Sequence, residues 1–144
     1  MAAVVDTTVF IDLERSTSRE GRVRSAELIG QRLTECLDPD EEAAIAAITA
    51  SELLHGVHRA SASHRPRREA FVESILAAVP VLDFDLLAAR SHARLWADLA
   101  KAGSDVGPHD RIVAATAISL GWRVATANVR HFARIPGLDV VEVR

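Results

Sequence analysis

The sequence has few of the residue types that stabilise secreted or membrane proteins. It contains one cysteine, Cys36, so no disulfide can form within the chain, and nothing around it resembles a zinc or redox pair. The first apolar run is four residues long, and no later run approaches the length of a membrane span. These absences predict a cytoplasmic protein with no leader and no membrane segment.

Aromatic residues are also scarce. Four Phe, two Trp and no Tyr leave a core built mainly from Ala, Val, Ile and Leu, which suits buried parallel strands covered by helices. A chain of 144 residues that is 49% hydrophobic is long enough for one sizeable core and too short for two ordinary domains. We therefore predict a single domain spanning residues 1–144.

The charge is slightly acidic, but the basic residues are clustered. A net charge of -3 argues against a surface that is basic all over. Nearly all basic residues are arginines, and they fall into local groups: Arg15, Arg19, Arg22 and Arg24; Arg59, Arg65, Arg67 and Arg68; and Arg111, Arg130 and Arg134. Such groups form either a solvated helical face or a phosphate-binding surface, and the sequence leaves both interpretations open.

Short apolar strands alternate with helical segments along the chain. Strands are predicted at residues 2–5, 43–48, 79–82, 123–126 and 140–143. Helices are predicted at 8–14, about 22–37, from Thr49 onward, 69–78, 85–102 and 109–120, with loops at 15–21 and 61–66. In the helix at 85–102, we expect Leu87, Ala88, Leu95 and Leu99 to face inward. This alternation predicts a three-layer α/β/α sandwich with a central, mostly parallel sheet.

Three carboxylates stand where an apolar strand or a loop gives way to a helix. These are Asp6, Glu52 and Asp110. Because the carboxyl ends of parallel strands meet at one edge of a sheet, all three can converge there. Carboxylates held together repel one another unless a cation lies between them, and oxygen ligands of this kind select Mg²⁺ or Mn²⁺. The pattern therefore predicts a metal site suited to phosphodiester hydrolysis.

Each acid also has a purely structural explanation. Thr49 and Glu52 fit the spacing of a capping box, in which the glutamate reaches back to the cap amide. Asp110 can complement a helix dipole, and Asp6 can satisfy amides at the start of its helix. Taken singly the structural explanations are favoured, whereas three acids together at strand–helix junctions favour a site.

The strings around these acids resemble those of a known enzyme family. They are Val-Val-Asp-Thr-Thr-Val-Phe-Ile-Asp-Leu, Thr-Ala-Ser-Glu-Leu-Leu-His-Gly and Val-Gly-Pro-His-Asp-Arg-Ile-Val-Ala-Ala-Thr-Ala, followed by Thr-Ala-Asn-Val-Arg-His-Phe near the end of the chain. The chain resembles, over essentially its whole length, the PIN-domain ribonucleases, and most closely the VapC-type toxins of bacterial toxin–antitoxin pairs.

The resemblance implies an endoribonuclease. Asp6, Glu52 and Asp110 would coordinate one or two Mg²⁺ or Mn²⁺ ions, and RNA would be cut to leave a 5′-phosphate and a 3′-hydroxyl. The family's fourth catalytic position, often an acid, is here the amide Asn128, with His131 three residues later. Because a neutral ligand weakens the charge on any second cation, we expect one tightly held ion.

Neighbouring residues are candidates to bind substrate. Thr7 can orient a metal-bound water or contact phosphate, or simply cap its helix. Arg111 and Arg130 lie next to site positions and can grip RNA phosphates, although a solvent-facing or partner-facing role suits Arg111 equally well. Thr126 can hydrogen-bond a site carboxylate or serve packing alone. His109 belongs to no metal-ligand spacing and is given no catalytic role.

The resemblance also implies partners. These are a second copy of the chain in a homodimer and a VapB-type antitoxin, one of whose arginines would enter among the three acids. Two other functions stay open: a catalytically weak or inactive module of the same fold that binds nucleic acid or protein, and a DNA nuclease of the wider superfamily. The second normally needs additional helices to grip a duplex.

Overall fold

The computed structural model describes residues 1–20 and 26–144, and within them it contains a five-stranded sheet flanked by helices. The strands are β1 (Ala2–Val5), β2 (Glu42–Ala46), β3 (Val81–Leu82), β4 (Arg123–Thr126) and β5 (Val140–Glu142). The helices are α1 (Thr7–Glu20), α2 (Ala26–Cys36), α3 (Ala47–Arg59), α4 (Arg65–Ala78), α5 (Leu86–Lys101) and α6 (Pro108–Leu120), with a short 3₁₀ turn at Val129–His131.

All neighbouring strands in the sheet are parallel. Their order is β3-β2-β1-β4-β5, so β1 lies in the centre, with Val4 paired to Ala44 on one side and to Val124 on the other. Because every strand runs the same way, all the carboxyl ends lie at one edge, where ligands bind in open α/β sheets. Asp6 follows β1 directly and therefore stands near the middle of that edge.

The sheet is buried on both faces. Along β1, Ala3 and Val5 pack into the core formed with α1, α2, α3 and α4, whereas Val4 packs into the core formed with α5 and α6. This alternation is the two-residue period of a strand covered by helices on both sides. The predicted three-layer α/β/α sandwich is confirmed.

Two predicted loops are partly helical. Helix α1 continues to Glu20, so the prediction of a loop from Arg15 is wrong over residues 15–20; the Ser16 hydroxyl donates to the Asp12 carbonyl one turn back, a bond compatible with a helix. Helix α4 begins at Arg65 because proline is tolerated in the first turn, where Pro66 stands. The predicted start of the second helix at Arg22 lies outside the described residues.

The inward face of α5 was predicted with one error. Ala88, Leu95 and Leu99 are buried, but Leu87 is 54% exposed. The three buried residues form one stripe, and Leu87 is displaced from Ala88 by about 100° around the helix axis. Leu87 therefore lies beside the core rather than in it.

The ends of the elements follow the predicted signals. Strand β3 is a two-residue edge strand preceded by Pro80, whose carbonyl accepts a hydrogen bond from the Ile45 N–H. Helix α6 ends at Gly121, which has the left-handed φ of 68° that glycine adopts without strain. No helix in the described part of the chain is both long enough and apolar enough to cross a membrane.

A buried ion pair stabilises the opposite edge of the sheet from Asp6. Arg123, at the amino end of β4, donates through two guanidinium nitrogens to both carboxylate oxygens of Glu41, just before β2. The Glu41 side chain is fully buried and that of Arg123 is 16% exposed. The hydrogen bond from Arg123 lowers the pKa of Glu41. The pair ties together the starts of two strands that lie on either side of β1.

We predict that Glu41→Gln lowers the free energy of unfolding by about 2–3 kcal/mol at neutral pH, since it leaves a largely buried guanidinium without its counter-charge. Because the Glu41 pKa is lower in the folded state, its stabilisation is present at neutral pH and is lost as the pH falls through that lowered pKa. Urea unfolding of both proteins across the acid range should therefore show their stabilities converging. The exposed neighbour Glu42, changed to Gln, is the control; equal losses from the two variants would contradict the assignment.

Candidate active site

Asp6 is fixed by both its backbone and its side chain. Its N–H donates to the Ala125 carbonyl at 2.8 Å, which extends the pairing of β1 with β4. Its carboxylate is buried, and Oδ2 accepts hydrogen bonds from the hydroxyls of Thr8 at 2.7 Å and Thr126 at 2.9 Å. These donors hold the orientation of the carboxylate, and the proposed bond from Thr126 is confirmed.

The two threonines are themselves oriented by the backbone. Thr8 Oγ1 accepts a hydrogen bond from the Ala127 N–H at 3.1 Å, and Thr126 Oγ1 accepts one from the Asn128 N–H at 3.0 Å. The two hydroxyls also lie 3.2 Å from each other, so Asp6 Oδ2, Thr8 and Thr126 form one hydrogen-bonded cluster. Thr8 was not predicted as a site residue, although it stands only two residues after Asp6; the sequence does not show that the turn after β4 supplies the Ala127 N–H to its hydroxyl.

Glu52 lies in the second turn of α3 and points toward the end of β1. Its Oε1 accepts a hydrogen bond from Thr7 Oγ1 at 2.9 Å, and its Oε2 lies 3.5 Å from His109 Nδ1. The capping-box explanation is wrong, because α3 begins at Ala47 and Thr49 is already inside it. The buried Thr49 hydroxyl has no hydrogen-bond partner among the described residues.

Asp110 enters the same region from the first turn of α6, which follows Gly107 and Pro108. Its Oδ2 lies 3.3 Å from His131 Nδ1. Burial raises the pKa of the Asp110 carboxyl, and the negative charges of Asp6 and Glu52 raise it further, against the lowering effect of His131 and His109. Asp110 is therefore near enough to both Asp6 and Glu52 to be repelled by their charges.

Two histidines flank the acids. His109 faces Glu52, and His131 faces Asp110 and also lies 3.0 Å, through Nε2, from the side-chain nitrogen of Asn128. No catalytic role was predicted for His109, since its spacing to other possible ligands specifies no metal. When protonated, both imidazoles place positive charge against a carboxylate. Asn128 thus reaches the acids through His131.

The donors suit a hard cation, although their side chains now have other partners. Within residues 1–20 and 26–144, no three His, Cys, Asp or Glu side chains are arranged as a ready-made cation cage. Glu52 and Asp110 contact histidines, and Asp6 contacts hydroxyls. Three carboxylates at one sheet edge are nevertheless the oxygen-rich donor set that Mg²⁺ and Mn²⁺ prefer.

The three candidate substrate-binding residues differ in their surroundings. Thr7 donates to Glu52, as described above. Arg111 donates from Nη1 to the Val106 carbonyl at 2.7 Å and lies over the Trp96 ring, 5.1 Å from its centroid, between α5 and α6. Arg130 is exposed in the 3₁₀ turn beside Asn128. Position alone thus distinguishes two arginines that the sequence could not separate.

Comparison with known proteins gives consistent matches. The model of the PIN domain family matches residues 3–138. The chain is 33% identical to Ribonuclease VapC1 of Rickettsia felis over 144 residues, which covers 99% of this chain and 97% of that protein. It is 40% identical to the tRNA(fMet)-specific endonuclease VapC of Salmonella typhimurium over 96 residues, covering 67% of this chain and 71% of that one.

The fold has solved counterparts as well. A chain from the crystal structure of DNA-bound VapBC from Salmonella typhimurium superposes with a TM-score of 0.79 at 32% identity, and the match covers 100% of both chains. A chain of VapBC-5 from Mycobacterium tuberculosis gives a TM-score of 0.71 at 30% identity, covering 99% of this chain and 98% of that one.

We predict that Asp110→Asn stabilises the metal-free protein at neutral pH. The pKa of Asp110 is higher in the folded protein than in the unfolded chain. Between these two pKa values the folded protein still holds the proton while the unfolded chain has lost it. The free energy of unfolding therefore falls as the pH rises through this interval. The amide removes that loss and can still contact His131. Urea unfolding in EDTA should show a higher midpoint for the variant at neutral pH and a shrinking gain in acid.

The exposed Asp105, on the loop before α6, provides a matched control. Asp105→Asn removes one negative charge at a position that is not beside Asp6 and Glu52. It should leave the urea midpoint nearly unchanged. An Asp110→Asn protein that is less stable than wild type at neutral pH would show that the carboxylate is not in a repulsive environment.

Proposed function

Because the chain belongs to the PIN-domain family, among the VapC ribonucleases, we propose that it is a metal-dependent endoribonuclease whose site is formed by Asp6, Glu52 and Asp110. The observation that carries this proposal is the convergence of the three acids: Glu52 contacts Thr7, which follows Asp6, and His109, which precedes Asp110. Burial and the charges of Asp6 and Glu52 raise the pKa of Asp110 there. A fold that needed these residues only as helix caps would gain nothing from holding them together.

The three carboxylates would hold a Mg²⁺ or Mn²⁺ ion. When bound, such an ion lowers the pKa of an attacking water and stabilises charge on the phosphate and the leaving oxygen. The products of hydrolysis would carry a 5′-phosphate and a 3′-hydroxyl. Asn128, the neutral residue at the fourth position, favours one tightly held ion over two.

The surrounding residues would prepare the carboxylates for this task. Thr8 and Thr126 fix Asp6, and Thr7 positions Glu52. His109 and His131 lie against Glu52 and Asp110, at 3.5 Å and 3.3 Å, and occupy carboxylate oxygens that a cation would otherwise take. We expect both histidines to release the carboxylates when the cation binds.

The same reasoning extends to partners. The solved counterparts come from VapBC complexes, and we propose that a VapB-type antitoxin restrains this chain by inserting an arginine among the three acids, where it would neutralise them in place of metal. A homodimer is the expected assembly; Leu86, Leu87 and Trp96, which are exposed on α5, supply apolar surface for a contact. We also propose that the protein acts in the cytoplasm, where an RNA substrate is available.

The proposal is tested by incubating purified protein with total RNA, with and without Mg²⁺, and mapping new 5′ ends. We expect discrete cuts that require the metal and that disappear when the antitoxin is added. Asp6→Asn should lower the cleavage rate by more than the roughly 10–100-fold typical of residues that only support a metal ligand. Mg²⁺ should also raise the melting temperature of wild type and not of Asp6→Asn, a readout independent of turnover.

Asp98, exposed on α5, supplies the charge-matched control. Asp98→Asn should cleave RNA and respond to Mg²⁺ as wild type does. Cleavage that persists in EDTA would contradict metal dependence. A folded, antitoxin-free protein that binds Mg²⁺ or RNA without cutting would identify a binding module of the same fold, and cleavage of DNA in preference to RNA would identify a DNA nuclease.

We propose that Arg130, rather than Arg111, grips substrate phosphate, because the Arg111 guanidinium is engaged by Val106 and Trp96 whereas Arg130 is exposed beside Asn128. In an Asp6→Asn background, Arg130→Gln should weaken binding of single-stranded RNA and reduce the slope of log affinity against log salt by about 0.7. Arg111→Gln should leave that slope unchanged and lower the free energy of unfolding by about 1–2 kcal/mol. A reduced slope for Arg111→Gln would show that Arg111 binds substrate phosphate.

A further inference from the structure

A groove lies near Asp6, on the α1 side of the sheet. It is bounded by α1, α2 and the residues at the end of β5, and its volume is 260 Å³. Its lining includes the buried apolar side chains of Val9, Leu13 and Val143. Pockets that enclose whole small molecules usually measure about 300–1,000 Å³, so this groove suits a portion of a longer ligand.

The groove is linked to Asp6 by hydrogen bonds. Its lining includes Ala127, whose N–H donates to Thr8 Oγ1, and the same hydroxyl donates to Asp6 Oδ2. The lining also includes Val9, whose N–H donates to the Asp6 carbonyl at 3.2 Å. Two lining residues are therefore connected to Asp6 by one or two hydrogen bonds, so the groove lies on the side of α1 next to this carboxylate.

The rim of the groove is basic. It carries Arg15, Arg32 and Arg144, and Asp12 is the only acid among the described residues that line it. Arg15 is exposed on α1, and Arg144 is exposed and contacts Glu142 at 3.3 Å. Arg32 donates from Nη1 to the Arg144 carbonyl at 2.7 Å, which uses one of the five N–H donors of its guanidinium. Among the described residues, its other N–H donors have no hydrogen-bond partner.

We infer that this arginine groove, formed by Arg15, Arg32 and Arg144 over an apolar floor, binds the sugar–phosphate backbone of the RNA that flanks the scissile bond. The inference rests on the proposed ribonuclease function and assigns to it a second substrate-binding surface. The charge of the rim matches phosphates, and it repels an antitoxin tail that carries arginine. Recognition of this kind adds affinity and sets the direction of the strand without reading its bases.

The test measures RNA binding apart from cleavage. In the Asp6→Asn background, the anisotropy of a fluorescein-labelled single-stranded RNA of mixed sequence is titrated at several salt concentrations. Arg15→Gln/Arg32→Gln should weaken binding about tenfold and reduce the slope of log affinity against log salt by about 1.4, which corresponds to two phosphate contacts. Arg15→Lys/Arg32→Lys keeps both charges and should retain the slope.

Two controls separate this role from folding and from net charge. Arg90→Gln removes an exposed arginine from α5, on the opposite face of the sheet, and should leave the slope unchanged. Arg15→Gln alone changes an exposed side chain outside the core. It should reduce the slope by half as much as the double glutamine variant does, and its melting temperature should equal that of the parent protein. Circular dichroism melts of all variants check that each is folded.

The outcomes are distinguishable from failure of the proposed function. If wild type cleaves no RNA but the slope changes as expected, the groove binds RNA and the nuclease proposal fails. An unchanged slope in the double glutamine variant, with wild-type cleavage intact, would overturn the groove assignment. Loss of antitoxin binding with unchanged RNA affinity would overturn it as well and assign the groove to the protein partner.

Discussion

Burial of the Asp110 carboxyl and its repulsion by two neighbouring carboxylates oppose folding at one edge of the sheet. Asp6, Glu52 and Asp110 belong to different elements, and they meet only because β1 is the central strand of a parallel sheet. Threonine hydroxyls and histidine rings then occupy their oxygens. The carboxyl edge of the sheet, where the proposed reaction would occur, is thus also the place where charge repulsion destabilises the folded protein. This pattern is expected of a site that binds a cation.

The compensating interactions lie elsewhere in the fold. The Glu41–Arg123 pair stands at the amino edge of the same sheet and ties β4 to the segment entering β2. The two cores are close-packed on both sheet faces and include Phe10 and Phe132, both fully buried. The stabilising ion pair thus lies at the amino ends of the strands and the three acids lie at the carboxyl ends. Residues at the amino ends can therefore change the stability of the protein without altering the three acids.

The strands and the parallel sheet were predictable because apolar runs alternate with helical periodicity, and the acids were predictable because each follows a strand or opens a helix. The partners of those acids were not. Thr49 and Glu52 have capping-box spacing, but Ala46 passes directly into a helix at Ala47, and Glu52 instead meets Thr7, 45 residues away. His131 reaches Asp110 only through the turn after β4, and the same turn supplies the Ala127 N–H that donates to Thr8. Rules based on neighbouring residues cannot specify contacts over this sequence distance. They also cannot distinguish an arginine that forms an ion pair, as Arg68 does with Glu14 at 3.1 Å, from one that faces solvent.

The hydrogen bond from Thr126 to Asp6 joins residues separated by 120 positions. During synthesis the aspartate leaves the ribosome well before β4, which pairs with β1 and carries this threonine. Asp110 is also made after Asp6 and Glu52, so a ribosome-bound chain holds no complete set of acids until residue 110 has emerged. Termination before that point therefore yields fragments that lack the site, and the hydrogen bond that fixes Asp6 forms only after Thr126 has been made.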